Sequence, residues 1–391
     1  MSNAFTYVLF LTDFTLTSLQ LIRNSYEQVG NFAAELFNQQ GHLGASVSNH
    51  HKGLMYKPSH RVEAACASGG IACTEAIRSI RGALNDVVLA IGVEKQTDVK
   101  PRTGGKYLGR AADYQRQKHV DDFLFPALFA RRVKAYLEKY PHVSMKDISK
   151  VVAKAYANAK RNPKAHMYSR RHEMTLEKAN SSPVFLSNQD LRPYLRVADC
   201  SQVSDGAASA LFMSERAMRR LGIPASRAVE IIDTDQGVGN IYKDPQDLTE
   251  LRVVREVVRR MLRKHRIDVH DVDVFELHDC FAIAEVLMYE AIGLARPGRG
   301  VGFVERASIG GDCPVNTGGG LLAFGHPVGA TGVKQLIEIF RQMKGKCDSY
   351  QIRSRSHSLP HLGLAVNMGG DDKTVVATLL RNVISTAPSK L

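Results

Sequence analysis

Short β-branched runs alternate along this chain with longer stretches of helical hydrophobic spacing, a pattern that predicts α/β layers. Residues 68–81 carry Ile71, Ala72, Ala76, Ile77 and Ile80 at helical intervals, and 86–92 follow as a buried strand. Alternation resumes with strands over 207–213 and 227–233, a strongly basic helix over 248–265, a strand over 272–277 and a helix over 281–292. A glycine-rich passage, 318–332, leads into a helix over 333–343, and strands over 362–367 and 374–380 close the series. Between 95 and 196 the pattern changes to polar, Lys- and Arg-rich sequence with helices over 121–140 and 145–161, punctuated later by Pro163, Pro183 and Pro193. That region reads as an inserted helical subdomain. It separates two similar α/β halves, one around Cys66 and one around Cys280 and His326.

The length of 391 residues suits two core-bearing units or one duplicated fold with an insertion. The longest apolar run near the start, 5–11, is too short to cross a bilayer and is soon followed by Asp13. Residues 1–24 also lack the form of a signal peptide, so no membrane span is expected. A net charge of +13 raises the question of nucleic acid. The basic residues are spread over several segments without interleaved aromatics, which favours a solvated basic surface, or a field that attracts an anionic ligand. Nucleic-acid binding is therefore not expected. Six cysteines with no CxxC pair argue against a structural zinc site and against a secreted disulfide framework. Ser389, Lys390 and Leu391 form a tripeptide that peroxisomal import receptors read.

Three segments carry candidate chemistry. Cys66 lies among small residues leading into the helix over 68–81. There the dipole and unpaired N–H groups are expected to favour thiolate. Cys73, seven residues on, reads as a structural thiol. His326 sits in Gly325-His-Pro-Val-Gly-Ala-Thr-Gly332, where Pro327 and the glycines aim the ring. An imidazole beside a thiol can take its proton. Nothing at this loop matches the usual phosphate-cradling motifs. His278-Asp-Cys-Phe281 falls where a strand gives way to a helix, a usual place for ligands in α/β sheets. His278 could donate a hydrogen bond to a thioester oxygen, and Cys280 could shuttle a proton. No further ligands stand at a spacing that suits a metal.

Taken together, Cys66-Ala-Ser-Gly-Gly70, Asp205-Gly-Ala-Ala208, His278-Asp-Cys-Phe281 and Gly318-Gly-Gly…Gly325-His-Pro-Val-Gly-Ala-Thr-Gly332 resemble the thiolase superfamily, specifically its sterol-carrier-protein type. The resemblance runs from about Val29 to Leu380. It implies an α/β thiolase fold: two βαβαβαββ halves in a five-layered αβαβα arrangement with an inserted loop domain. The implied divisions are 1–94 for the N-terminal half, 95–196 for the loop domain, 197–225 for the end of that half, 226–386 for the C-terminal half and 387–391 for a targeting tail.

The same resemblance implies that Cys66 accepts the acyl group, His326 activates it, His278 holds a thioester oxygen, and Cys280 moves the proton at the acetyl α-carbon. The backbone N–H groups of Cys66 and Gly369 would form a second oxyanion hole. Most thiolases carry their second cysteine in a C-terminal Cys-x-Gly motif. Here that stretch reads Asn367-Met-Gly369, and Cys280 takes the role over. The implied activity is thiolytic cleavage of 3-ketoacyl-CoA in peroxisomal (or glycosomal) β-oxidation, with coenzyme A as substrate and no metal or redox cofactor. The alternatives are the reverse Claisen condensation, or acyl-CoA or lipid binding without turnover. A homodimer or homotetramer is implied. The first 28 residues depart from the family pattern: 5–11 is left to serve as the first strand and 16–26 as the helix, with one strand missing or shortened.

Overall fold

The structure, a computed structural model, describes residues 6–10, 25–354 and 358–383. Nine strands form one mixed sheet: β1 Thr6–Phe10, β2 Ser25–Gly30, β3 Ser59–Val62, β4 Val87–Glu94, β5 Gly206–Ser214, β6 Val229–Val238, β7 Val274–Leu277, β8 Leu362–Gly369 and β9 Thr374–Asn382. Their order is β3-β2-β4-β5-β1 followed by β6-β9-β8-β7, so the second half repeats the first in reverse about the β1/β6 junction. Only β3 lacks a full counterpart. In its place stands a single parallel bridge between Phe275 and Val315.

The longer helices are α1 Ser68–Arg81, α2 Pro101–Leu108, α3 Leu124–Lys139, α4 Met145–Ala159, α5 Arg252–His265, α6 Ala282–Ala291 and α7 Thr331–Met343. Helices α1 and α7 form the central layer. Ala76, Ile77 and Ile80 of α1 and Leu336, Ile339 and Phe340 of α7 share one core cluster with Val88, Ala210, Ile231, Ala365 and Leu380 from strands of both halves. The outward face of the first half buries Val29, Leu89 and Leu211 under short helical turns that include Val47 and Ala217. The outward face of the second half is covered by α5 and α6, and the inserted helices α3 and α4 pack onto the same cluster. The result is a five-layered αβαβα arrangement. Alternation along β4, with Val88 facing inward and Leu89 outward, follows from the two-residue repeat of a strand buried on both faces.

The predicted strands and helices from 68 onward all form, within a few residues of their expected ends. The N-terminal region needs correction. The expected first strand is present as a short β1, antiparallel over five residues to β5 and over three to β6. The helix expected over 16–26 is contradicted at its end, because Ser25 and Tyr26 open β2. Its remainder, 16–24, lies outside the described residues, as do Ser389, Lys390 and Leu391. Strand β2 escaped the sequence pattern because Glu27 and Gln28 are buried polar residues that break its apolar signature. No helix among the described residues is long and apolar enough to cross a membrane.

Candidate active site

Cys66 immediately precedes α1, whose N-cap is Ala67. Its presentation requires a left-handed residue just before it, Ala65 at φ +51°, a conformation that costs an L-residue on the order of 1 kcal/mol or more. The loop holds this shape through Ser68 Oγ, which accepts from Ala64 N–H at 3.0 Å and donates to Ala65 O at 2.6 Å, while Glu63 accepts from Ala65 N–H at 2.6 Å. The thiol is half-buried, and burial pushes it up to about 12; Gly370 N–H and its own N–H oppose that rise, while Glu94 and Glu63 add to it. Burial therefore works against the thiolate that the helix start was expected to favour. At neutral pH Cys66 is a thiol that needs a base.

His326 is buried, and burial pulls its imidazole down to about 4, so it is neutral and able to accept a proton. Its Nδ1 lies 2.7 Å from Thr331 Oγ1. The Thr331 hydroxyl gives its own hydrogen to Pro327 O at 3.2 Å. It must therefore accept from Nδ1–H, which leaves the lone pair on Nε2. The loop that carries His326 is tied down by Glu94, whose carboxylate accepts from Gly329 N–H at 3.1 Å and from Phe32 and Ala33 N–H at 2.8 and 3.1 Å.

His278 has the opposite tautomer. Asn367 Oδ1 accepts from Gly70 N–H at 3.2 Å, which orients the amide so that Nδ2 donates to Cys66 O at 3.1 Å and to His278 Nδ1 at 3.1 Å. An Nδ1 that accepts leaves the proton on Nε2. That Nε2–H is fully buried and has no partner among the described residues. A buried donor without an acceptor costs roughly 1–3 kcal/mol, so its presence marks a place built for an oxygen the protein does not supply. Burial and the adjacent His326 hold the His278 pKa well below its ordinary value, which keeps it a neutral donor.

The two rings meet edge to face at 5.2 Å between centroids, and the Cys66 sulfur and one ring nitrogen of each histidine lie within 4.8 Å of one another. Spacing alone would suit a metal ion. The donor set does not, because the only free nitrogen of His278 carries a proton instead of a lone pair. A thiol, an acceptor nitrogen and a donor nitrogen around one point suit acyl transfer to sulfur.

Cys280 is buried on the same loop as His278, and burial first, with ionisation of Cys66 adding to it, holds its thiol well above its ordinary pKa. Ser201 N–H donates to Cys280 O at 2.9 Å, and Phe281 stacks on Phe129 of α3 at 4.4 Å, so the inserted helices brace this loop. Between these residues, Asp279 is buried with one oxygen accepting from Leu321 N–H at 2.6 Å. Gly320, at φ +59°, makes room for it: a Cβ there would fall 2.0 Å from Asp279 Oδ2. The triple glycine thus seats the His278-Asp-Cys loop. Gly369 abuts the nucleophile loop, where a Cβ would sit 2.3 Å from Ala64 O. The N–H that reaches the Cys66 sulfur is that of the next residue, Gly370. A cavity of about 1210 Å³ lies beside the His326 loop, walled by Phe324, Gly325 and Pro327 but by none of the four reactive side chains.

Of the four side chains singled out by sequence, Cys66, His278 and His326 thus come together, and Cys280 sits two residues from His278 on the same loop. Asn367, Thr331, Gly370 and Glu94 were not given these parts. Thr331 lies inside the histidine motif and could have been found from it, whereas Asn367 stood out only as the place where a cysteine is absent.

Comparison with known proteins gives this geometry a family. Residues 28–216 match the thiolase N-terminal domain and 239–381 the thiolase C-terminal domain-like family. The chain is 33% identical over 356 residues to an acetyl-CoA acetyltransferase of Methanothermobacter thermautotrophicus, covering 88% of this chain and 85% of that protein. It is 32% identical to sterol carrier protein 2 of Rattus norvegicus over 82% of this chain, and spans 59% of that longer protein. Human mitochondrial 3-ketoacyl-CoA thiolase in complex with CoA shares the fold, with a TM-score of 0.68 at 15% identity over 97% of this chain and 98% of that one. The chain belongs to the thiolase superfamily of acyltransferases, on its sterol-carrier-protein-type branch.

Proposed function

We propose that this chain cleaves 3-ketoacyl-CoA by thiolysis, with Cys66 carrying the acyl group. The observation that supports this most is the grouping of Cys66, His278 and His326, with one ligand atom of each within 4.8 Å of the others, beside a buried His278 Nε2 that has no partner among the described residues.

His326 Nε2 takes the Cys66 thiol proton, helped by the Gly370 N–H that reaches the sulfur, and as sulfur attacks the 3-keto carbon the negative charge passes to the keto oxygen, where the N–H groups of Cys66 and Gly369 stabilise it until the carbonyl re-forms. The bond between C2 and C3 breaks. Its electron pair passes to the acetyl-CoA enolate, whose oxygen His278 Nε2–H holds. The Cys280 thiol protonates the enolate carbon, and acetyl-CoA leaves. The thiol of a free CoA gives its proton to the Cys280 thiolate and attacks the acyl group on Cys66. As that thioester breaks, the Cys66 sulfur recovers its proton from His326. Every proton is accounted for within the chain's own groups and CoA, and coenzyme A is substrate, with no resident cofactor in the scheme.

The same site runs in reverse as a Claisen condensation, and the name of the archaeal relative, acetyl-CoA acetyltransferase, favours keeping that direction as the second reading. A homodimer or homotetramer and a peroxisomal setting in β-oxidation belong to this reading. The setting is supported by Ser389-Lys390-Leu391 and is tested by import of a reporter bearing that tail. The decisive test of the activity is incubation of purified protein with CoA and 3-ketoacyl-CoA of several chain lengths, with acetyl-CoA release followed by chromatography. Cys66→Ala is expected to reduce release by at least about 10³-fold. Undiminished release from that variant would remove Cys66 from the mechanism.

A further inference from the structure

Arg132 lies on α3, within the inserted helical segment, and its side chain is fully buried. A guanidinium carries five donors and never loses its charge, so burying one is costly unless it is matched. Here Nε meets Asp371 Oδ1, and Nη1 donates to Leu248 O at 2.8 Å and Glu250 O at 2.9 Å, while Nη2 has no partner among the described residues. A helix needing only packing at this position would carry an apolar residue, as it does at Phe129 and Val133.

What Arg132 grips is the turn beside the nucleophile. Asp371 directly follows Gly370, the residue at φ +68° whose N–H reaches the Cys66 sulfur. The other end of the turn is held from elsewhere. Asp372 accepts from Val253 and Val254 N–H at 2.8 and 3.1 Å at the start of α5, and Lys373 Nζ donates to Asn240 O and Lys243 O at 2.9 and 2.7 Å. The side-chain anchor nearest Gly370 is Arg132. Asp371 also bears on the second thiol, since its charge helps raise the Cys280 pKa.

We propose that Arg132 is a positioning residue: through Asp371 it holds Gly370 N–H against the Cys66 sulfur, so that the inserted segment helps set how readily the nucleophile forms. This rests on the reading of Cys66 as acyl carrier, but its test need not. In full-length protein, Cys66 alkylation by iodoacetamide is followed peptide by peptide across pH for wild type, Arg132→Met and Arg132→Lys, alongside thermal midpoint and thiolysis kinetics.

Losing one hydrogen bond to a developing thiolate should slow alkylation of Cys66 in Arg132→Met about tenfold at pH 8. In Arg132→Lys, which keeps the charge but not the fork, the slowing should be about threefold. In thiolysis, kcat should fall while KM for the 3-ketoacyl-CoA holds. A merely structural role predicts the reverse for alkylation, since a loosened fold exposes a half-buried thiol and speeds it. Rates equal to or faster than wild type in a folded Arg132→Met would overturn the proposal. Should that variant fail to fold, the Arg132→Lys rate decides on the same terms. A wild-type protein without thiolysis would sink the functional reading alone, because alkylation is measured independently of turnover.

Discussion

The loops that carry His278 and His326 place the same side chain in the same buried pocket, 5.2 Å apart, yet prepare it for opposite work. His326 leans on a hydroxyl whose hydrogen is committed to Pro327 O, so its inner nitrogen must donate and its outer nitrogen accepts. His278 leans on an amide whose oxygen is committed to Gly70 N–H, so its inner nitrogen must accept and its outer nitrogen donates. Burial keeps both rings neutral. Neither charge nor exposure distinguishes them. The difference between a base and an oxyanion donor is set one hydrogen bond further out, by Thr331 and Asn367.

The comparison breaks first at His326. His326→Ala removes the base proposed for the thiol and should lower kcat/KM for thiolysis by about 10³-fold, within the usual span for general-base loss. It should also slow acylation of Cys66 in single-turnover experiments, and normal acylation would assign the base elsewhere. His278→Ala should cost somewhat less, about 10²-fold, as for loss of one oxyanion donor, while leaving iodoacetamide alkylation of Cys66 near the wild-type rate.

A finer probe is Asn367→Asp. A carboxylate there accepts a proton from Nδ1 and strips Nε2 of its own. Turnover should fall on the order of tenfold or more, and ¹⁵N imidazole shifts of His278 should report the exchanged tautomer. An unchanged tautomer would separate Asn367 from the role given to it here.

The smallest effect is on stability. His326 falls from 6.5 to about 4 on folding, so the unfolded chain binds its proton more tightly. Stability from this group is complete above about pH 6.5 and is lost as pH falls toward 4, by at most roughly 3 kcal/mol. His278, depressed in the same direction, adds to the slope. Urea midpoints should therefore drop across pH 6.5–4 in wild type and flatten in His326→Gln.

Much of this was legible in the sequence. Period-2 and period-3.6 runs located the strands and most of the longer helices from 68 onward, though not α2, and the cysteine and histidine segments named the three side chains that meet, Cys66, His278 and His326. The errors have physical causes. Strand β3 is four residues with a partly exposed pattern, too short and too polar to stand out. The thiolate expectation at Cys66 rested on a local helix start, whereas the governing quantity was burial by segments hundreds of residues away. Asn367 bonds Gly70 from 297 positions along the chain, and Arg132 bonds Asp371 from 239, separations at which single-sequence pattern carries no signal.

Strand β1 invites one more consequence. The thiol is supplied by the first half of the molecule, whereas both imidazoles and Asn367 are supplied by the second. The backbone continuity of the sheet between those halves runs through five residues, Thr6–Phe10, laced to β5 on one side and β6 on the other. The gap between sulfur and imidazole is thus a seam width, set jointly by that ribbon and by the bonds that cross the seam at the site, Gly329 N–H to Glu94 and Asn367 to Cys66 and Gly70.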